Sequence, residues 1–219
     1  MLLIDIGNSW LKSAYFQDEV LHHICPVETS DFMGDRKVDW SLPEKKMLSP
    51  KKILVSSVAS DQVNERCSKM LLSELEIEPH FVQVQKTFKG MTTLYATNRL
   101  GVDRWLASLA AWSKYKKNLV VVDAGTAITV DFVNYKGTHL GGLITPGPNI
   151  LANSLAGGTA HLPAVSRRQK NLVIPTDTED AIVAGLENLL FGFINQVRVE
   201  CVHIYESSPL WVLTGGAED

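Results

Sequence analysis

Three aspartates in this chain stand where a carboxylate can do chemistry. Asp5 closes an apolar run in "LLIDIGNSWLKSAYF", residues 2 to 16, and Asp123 closes another in "LVVVDAGTAITVDFV", residues 119 to 133. Asp103 lies in "LGVDRW", residues 100 to 105, at the head of a helical pattern. A carboxylate beside a glycine turn can hold Mg2+ through water, since that ion takes one or two carboxylates and fills its shell with phosphate oxygens. Glycine lets the backbone approach a ligand closely, and the N–H groups of the first turn, with Asn8, Ser9 and Lys12 nearby, can hold those oxygens. Asp103 adds a third carboxylate, in the first helical turn where the dipole favours negative charge.

Each residue also has a plain structural reading. Gly7-Asn8 suits an ordinary hairpin, and Asp123 suits an Asx turn after a buried strand. Asp103 suits the cap of a helix beginning at Arg104. Arg104 reads either as an exposed first-turn arginine or as a planar fork for a carboxylate or phosphate. Repetition weighs against the plain readings. Both stretches run apolar strand, Asp, small residue, Gly, hydroxyl or amide residue, and a second strand, half a chain apart. Two such turns, each with one carboxylate and one glycine, predict related lobes around a cleft suited to a nucleotide and its cations.

The elements that must carry these corners follow from periodicity. "KKILVSSVAS" reads as a buried strand, and the next segment has helical spacing at Val63, Cys67, Met70, Leu71 and Leu75, with Asp61 as its cap. "HFVQV" reads as a short strand. "GVDRWLASLAAWSKYKK" reads as a helix with Asp103 in its first turn and lysines at its end, the charge order the helix dipole favours. Trp105 and Trp112 share one face of it and read as core or dimer contacts. "GTHLGGLITPG" begins as a strand and turns into a small-residue helix, and "EDAIVAGLENLLFGFINQVRVECV" is a long amphipathic helix with Thr178 placed to cap it. "PLWVLTGG" is the last strand. Adjacent strands joined by tight turns make the sheets mixed. Asp131 reads as a strand residue beyond reach of its turn, and Arg167 and Arg168 as a solvated loop.

Composition narrows the class. The chain has 219 residues, 45% apolar and 21% charged, with mean hydropathy +0.03, which suits a globular protein with a substantial core. A net charge of -3 and a pI near 6.1 argue against gripping a polyanionic backbone, so no nucleic acid is expected. The apolar runs are too short to span a bilayer, and the start lacks a basic leader, so no membrane partner is expected either. Three scattered cysteines suit free thiols in a reducing, cytoplasmic setting.

The set DIGNS at 5 to 9, LGVDRW at 100 to 105, VVDAGTAITVDF at 121 to 132, GGLITPG at 141 to 147, TEDAI at 178 to 182 and LTGG at 213 to 216 resembles the type III pantothenate kinases. These belong to the superfamily of acetate and sugar kinases, Hsp70 and actin. The resemblance covers residues 2 to 216 in the family's order. It implies an α/β fold of two ribonuclease H-like (actin-like ATPase) lobes with mixed β-sheets flanked by helices, divided as 1–113 and 114–219. It implies ATP-dependent phosphorylation of pantothenate at its primary hydroxyl, the first step toward coenzyme A. It further implies Mg2+, a monovalent cation (K+ or ammonium) and a homodimer with the substrate site near the subunit interface.

Carried over by position, Asp5, Ile6, Gly7, Asn8, Ser9, Trp10, Leu11 and Lys12 form the phosphate-binding segment, with Asp5 holding Mg2+ through water. Thr126 is a further nucleotide contact, and Gly215 and Gly216 lie at the adenosine end. Asp123 binds the monovalent cation. Asp103 is the general base, and Gly101, Val102 and Arg104 line the pantothenate pocket with Tyr95. Thr178 contacts substrate from the neighbouring subunit. The sequence departs from the family at three points. Tyr95 stands closer to the Gly-x-Asp-Arg motif than usual, Ser9 replaces a common threonine, and relatives continue for about another helix beyond the final glycine pair, so the second lobe is expected to be shortened. Two other functions fit the same residues: a non-catalytic nucleotide-sensing accessory protein, and a kinase of another small alcohol or a phosphohydrolase on the same scaffold.

Overall fold

A computed structural model describes residues 1–34, 38, 50–165 and 174–216. The Arg167-Arg168 pair and the side chain of Cys25 lie outside the described set. In chain order the elements are β1 (Leu2–Ile6), β2 (Trp10–Gln17), β3 (Val20–Glu28), α1 (Thr29–Met33), β4 (Ile53–Ser57), α2 (Asp61–Leu75), β5 (His80–Phe81), β6 (Thr87–Phe88), β7 (Met91–Thr93), α3 (Val102–Tyr115), β8 (Leu119–Ala124), β9 (Ala127–Val133), β10 (Thr138–Pro146), α4 (Pro148–Gly158), α5 (Thr178–Ile204) and β11 (Leu210–Thr214). They form two compact units, residues 1–85 with 97–106, and residues 86–96 with 107–219; the division falls inside α3.

The first unit holds a five-stranded sheet in the order β3-β2-β1-β4-β5. β1 and β2 pair antiparallel across the Gly7 turn, β2 and β3 antiparallel, and β1-β4 and β4-β5 parallel. Alternation along β1 sends Leu2, Ile4 and Ile6 into a core completed by Leu11, Ile53 and Val55 and by Val63, Cys67 and Leu71 of α2. Asp5 falls on the other side of that alternation, which leaves it exposed. The cap of α2 is Ser60, not Asp61, which is the first helical residue. Aspartate serves equally well as a cap and as a first-turn acid facing the dipole, so composition alone cannot separate the two positions. "HFVQV" yields only the two-residue β5.

The second unit repeats the plan. Its sheet runs β11-β8-β9-β10-β7-β6, with β8-β9 and β9-β10 antiparallel and β8-β11 parallel. Ile128, Val130 and Phe132 of β9 turn one face toward Val197, Cys201 and Tyr205 at the end of α5. The Tyr205 hydroxyl donates to the Leu119 carbonyl oxygen at 2.7 Å, pinning the long helix to β8. Asp177 caps α5, its carboxylate accepting from the N–H groups of Glu179 at 2.9 Å and Asp180 at 3.3 Å. Thr178 is therefore the first helical residue and not the cap. Trp105 and Trp112 are both buried, as core contacts. Cys67 and Cys201 are free thiols.

Candidate active site

The first corner is built by the β1-β2 turn. Gly7 N–H donates to the Trp10 carbonyl at 2.9 Å, and a Cβ at Gly7 would lie 3.3 Å from that oxygen, so a side chain there would press on the turn. Thr29, buried at the start of α1, fixes the turn from below: its hydroxyl donates to the Gly7 carbonyl at 3.1 Å and its N–H to the Ser9 carbonyl at 2.9 Å. Of residues 5–12, Ile6 and Leu11 put their side chains into the core, so only their backbones are available to a ligand. Asn8, Trp10 and Lys12 are exposed.

Asp5 lies beside Ser56 in the parallel register between β1 and β4. Crowding by surrounding protein raises the Asp5 carboxyl above its ordinary value, the Ser56 hydrogen bond lowers it, the Asp103 carboxylate raises it further and Lys12 lowers it. A carboxyl raised by crowding and by a neighbouring carboxylate makes a place where a hard cation is welcome. A carboxyl raised on folding stabilises the fold at acid pH and loses that contribution as pH rises through its raised value, so the ionised Asp5 is held against the fold's preference. Replacing Ser56 by Ala removes an opposing hydrogen bond and pushes Asp5 higher. Activity on the acid side of the pH profile is then expected to fall about fivefold, with little change on the alkaline side. An unmoved acid limb in kcat/KM would show that it does not report Asp5.

Asp103 sits in the first turn of α3, and its Oδ1 accepts the Arg104 N–H at 2.7 Å. One oxygen thus serves the helix, but Asp103 is not the cap of a helix beginning at Arg104: α3 already begins at Val102, and Asp103 is an acid of its first turn. Gly101 makes this possible, for a Cβ there would overlap Asp103 Oδ1 and lie 3.7 Å from Val58. Val102 packs inward, so its side chain belongs to the core. Arg104 is 5% exposed, not the exposed first-turn arginine of one sequence reading.

The second corner mirrors the first within its own unit. Gly125 N–H donates to the Ala127 carbonyl at 3.1 Å, and Gly147, the cap of α4, donates its N–H to the Thr126 carbonyl at 3.0 Å. A Cβ at Gly147 would lie 2.5 Å from that oxygen, and one at Gly215 (φ 114°) would overlap the Ala124 backbone. Three stretches of main chain are pressed together here where no side chain fits. Asp123 faces Thr214 across the β8-β11 register as Asp5 faces Ser56. Tyr95, following β7, stacks on His139 with ring centroids 5.6 Å apart. Asp131, far from being an unremarkable strand residue, is buried against His139. Among the described residues no three metal-ligating side chains come together.

In the first unit, then, Asp5 leads into the Gly7 turn, and the Asp103 carboxylate is near enough to help raise the Asp5 carboxyl. In the second it brings Asp123, Gly125, Thr126, Gly147 and Gly215 into one corner. Sequence reasoning missed Ser56 and Thr29, whose signals were only a hydroxyl at a strand end and another at a helix start, and it missed the partnership of Thr93, His139 and Asp131.

Two mixed sheets, each with a glycine corner and an aspartate paired across parallel strands with a hydroxyl residue, make an α/β protein of duplicated design. The type III pantothenate kinase family model matches residues 1–200, and the chain belongs to that family. It is 34% identical over 230 residues to a type III pantothenate kinase of Methylibium petroleiphilum, covering 99% of this chain and 87% of the relative. With the Nitrosomonas eutropha enzyme of the same name it shares 33% identity over 225 residues, covering 99% and 83%. The crystal structure of a conserved putative Baf family transcriptional activator from Campylobacter jejuni superposes with TM-score 0.58 at 24% identity, covering 99% of this chain and 83% of that one, and so shares the fold.

Proposed function

We infer that this chain transfers the γ-phosphoryl group of ATP to the primary hydroxyl of pantothenate, giving 4'-phosphopantothenate. Family membership over nearly the whole chain supports the reading, and the observation that carries it chemically is the Asp5-Asp103 pair. Asp103 takes the alcohol proton as the oxygen attacks, while its Oδ1 stays tethered to Arg104 N–H and so fixes the direction of the carboxylate. The buried Arg104 guanidinium suits the pantothenate carboxylate, and Gly101 and Val102 supply backbone beside it. The 5–12 segment and Thr126 supply phosphate contacts, and Gly215 and Gly216 the adenosine end.

A divalent ion fits a site of one or two carboxylates with water and phosphate oxygens, which Asp5 with Asp103 beside it offers. Asp123, at a corner crowded with the carbonyl oxygens of Ala124, Gly125 and Thr126, offers the donor chemistry of a K+ or ammonium site. Bound there, such cations would neutralise charge on the phosphate oxygens. A homodimer, with Thr178 reaching the partner's substrate, is supported by exposed apolar side chains along α5, Leu189, Phe191, Val199 and Val202. The free thiols of Cys67 and Cys201 suit a cytoplasmic location; no described helix is long and apolar enough to cross a membrane.

The test is ADP formation by the purified full chain with ATP, Mg2+ and K+, with and without pantothenate. Turnover that depends on pantothenate supports the assignment. ADP formation indifferent to pantothenate, or its absence from folded protein, overturns it.

A further inference from the structure

Three polar side chains form a row across three neighbouring strands of the second unit. Asp131 on β9 and His139 on β10 lie on one face because His139 pairs with Val133, two residues beyond Asp131. Thr93 on β7 sits beside His139 in the parallel register. His139 Nε2 and Asp131 Oδ1 are 2.8 Å apart, and His139 Nδ1 and Thr93 Oγ1 are 2.9 Å apart. The three residues are 2%, 0% and 0% exposed, Asp131, His139 and Thr93 respectively. Burying a carboxylate and an imidazole is expensive even when they are paired, and apolar replacements of similar volume often stabilise a core as well or better. Stability alone is a poor reason for this row to exist.

The row ends at a segment the proposed reaction uses. Thr93 Oγ1 accepts the N–H of Tyr95 at 3.1 Å, the Leu94 N–H donates to the His139 carbonyl at 3.0 Å, and the Tyr95 ring lies stacked on the imidazole with 27° between planes. Lys86 Nζ holds the Tyr95 carbonyl from the other side at 3.2 Å. With a carboxylate as the acceptor at Asp131, Nε2 carries the hydrogen; in the neutral imidazole Nδ1 then accepts, and the Thr93 hydroxyl donates to it while accepting the Tyr95 N–H. The three side chains then form one continuous row of hydrogen bonds ending at the Tyr95 backbone. A Cβ at Gly141 (φ 149°), past the bulge at Leu140, would lie 4.0 Å from the edge of the Tyr95 ring.

We propose that Asp131, His139 and Thr93 are positioning residues that hold Tyr95 in place for the acceptor substrate. The proposal rests on the reading of Tyr95 as a pantothenate contact. None of the three touches substrate; they act by fixing the backbone and ring plane of the residue that does.

Steady-state kinetics on the full chain test this with Tyr95→Ala, His139→Leu, Thr93→Val, Asp131→Asn and Asp131→Leu. Thr93→Val and His139→Leu are expected to raise KM for pantothenate about tenfold while KM for ATP stays within about twofold. Asp131→Asn, which keeps an acceptor for Nε2–H, is expected to behave close to the parent, and Asp131→Leu like His139→Leu. Thr93→Val added to Tyr95→Ala should change little further. Should His139→Leu not fold, the isosteric Thr93→Val carries the test. Tyr95→Ala raising KM for pantothenate while the relay variants alter only thermal stability would overturn the relay and leave the reading of Tyr95 intact. No change in pantothenate KM on Tyr95→Ala would overturn that reading and the relay with it.

Discussion

Asp103→Asn is expected to leave the fold intact and lower kcat by about 10²–10³. Both halves of that result follow from one carboxylate with two duties. Oδ1 accepts the Arg104 N–H at 2.7 Å, and asparagine supplies an oxygen of the same shape, so the first turn of α3 stays satisfied and the melting temperature should hold. What asparagine cannot do is accept the alcohol proton. Removing this charge also relieves Asp5, whose carboxyl Asp103 helps to raise, so the acid limb of any residual activity should shift to lower pH. A variant that melts early would mean that the helix tether is the residue's main duty. Unchanged turnover would remove Asp103 as the base.

Gly101→Ala is expected to reduce kcat by about 10–100-fold although it removes no charge. The added methyl would overlap Asp103 Oδ1 and approach Val58 Cγ1 to 3.7 Å. The overlap is with a side chain, so the carboxylate swings away and the backbone stays, and the cost appears as misplacement of the base with stability changed by under about 1 kcal/mol. Comparison of the two variants is informative: Asp103→Asn keeps the position and loses the basicity, whereas Gly101→Ala keeps the basicity and loses the position. Full activity in Gly101→Ala would show that the carboxylate direction seen here is not the working one.

The parts of this account that could be read from sequence are those written locally. Alternation in "LLIDI" and "LVVVDA", broken by Gly7 and Gly125, gave both strand pairs and both acidic corners because strand period and turn chemistry are short-range signals. Ser60-Asp61 and Asp177-Thr178 each offer two residue types that cap well, so the cap falls one residue before the expected Asp61 and Thr178, and α3 begins at Val102, two residues before Arg104. The partners of the functional side chains were not legible. Ser56 reads as the fading end of an apolar strand until β4 is laid parallel to β1 and its hydroxyl falls beside Asp5. Asp131 and His139 look unrelated until β9 and β10 pair with a bulge at Leu140. Pairings of that kind depend on register between distant segments, which local periodicity does not encode.

The most direct test of the central claim, that the carboxylates of the first unit drive phosphoryl transfer to an alcohol and not to water, is phosphorus NMR of the reaction products with pantothenate as acceptor. The account predicts one phosphomonoester on the primary hydroxyl of pantothenate for each ADP formed, and almost none in Asp103→Asn. ADP accompanied by inorganic phosphate without an ester of pantothenate would contradict it.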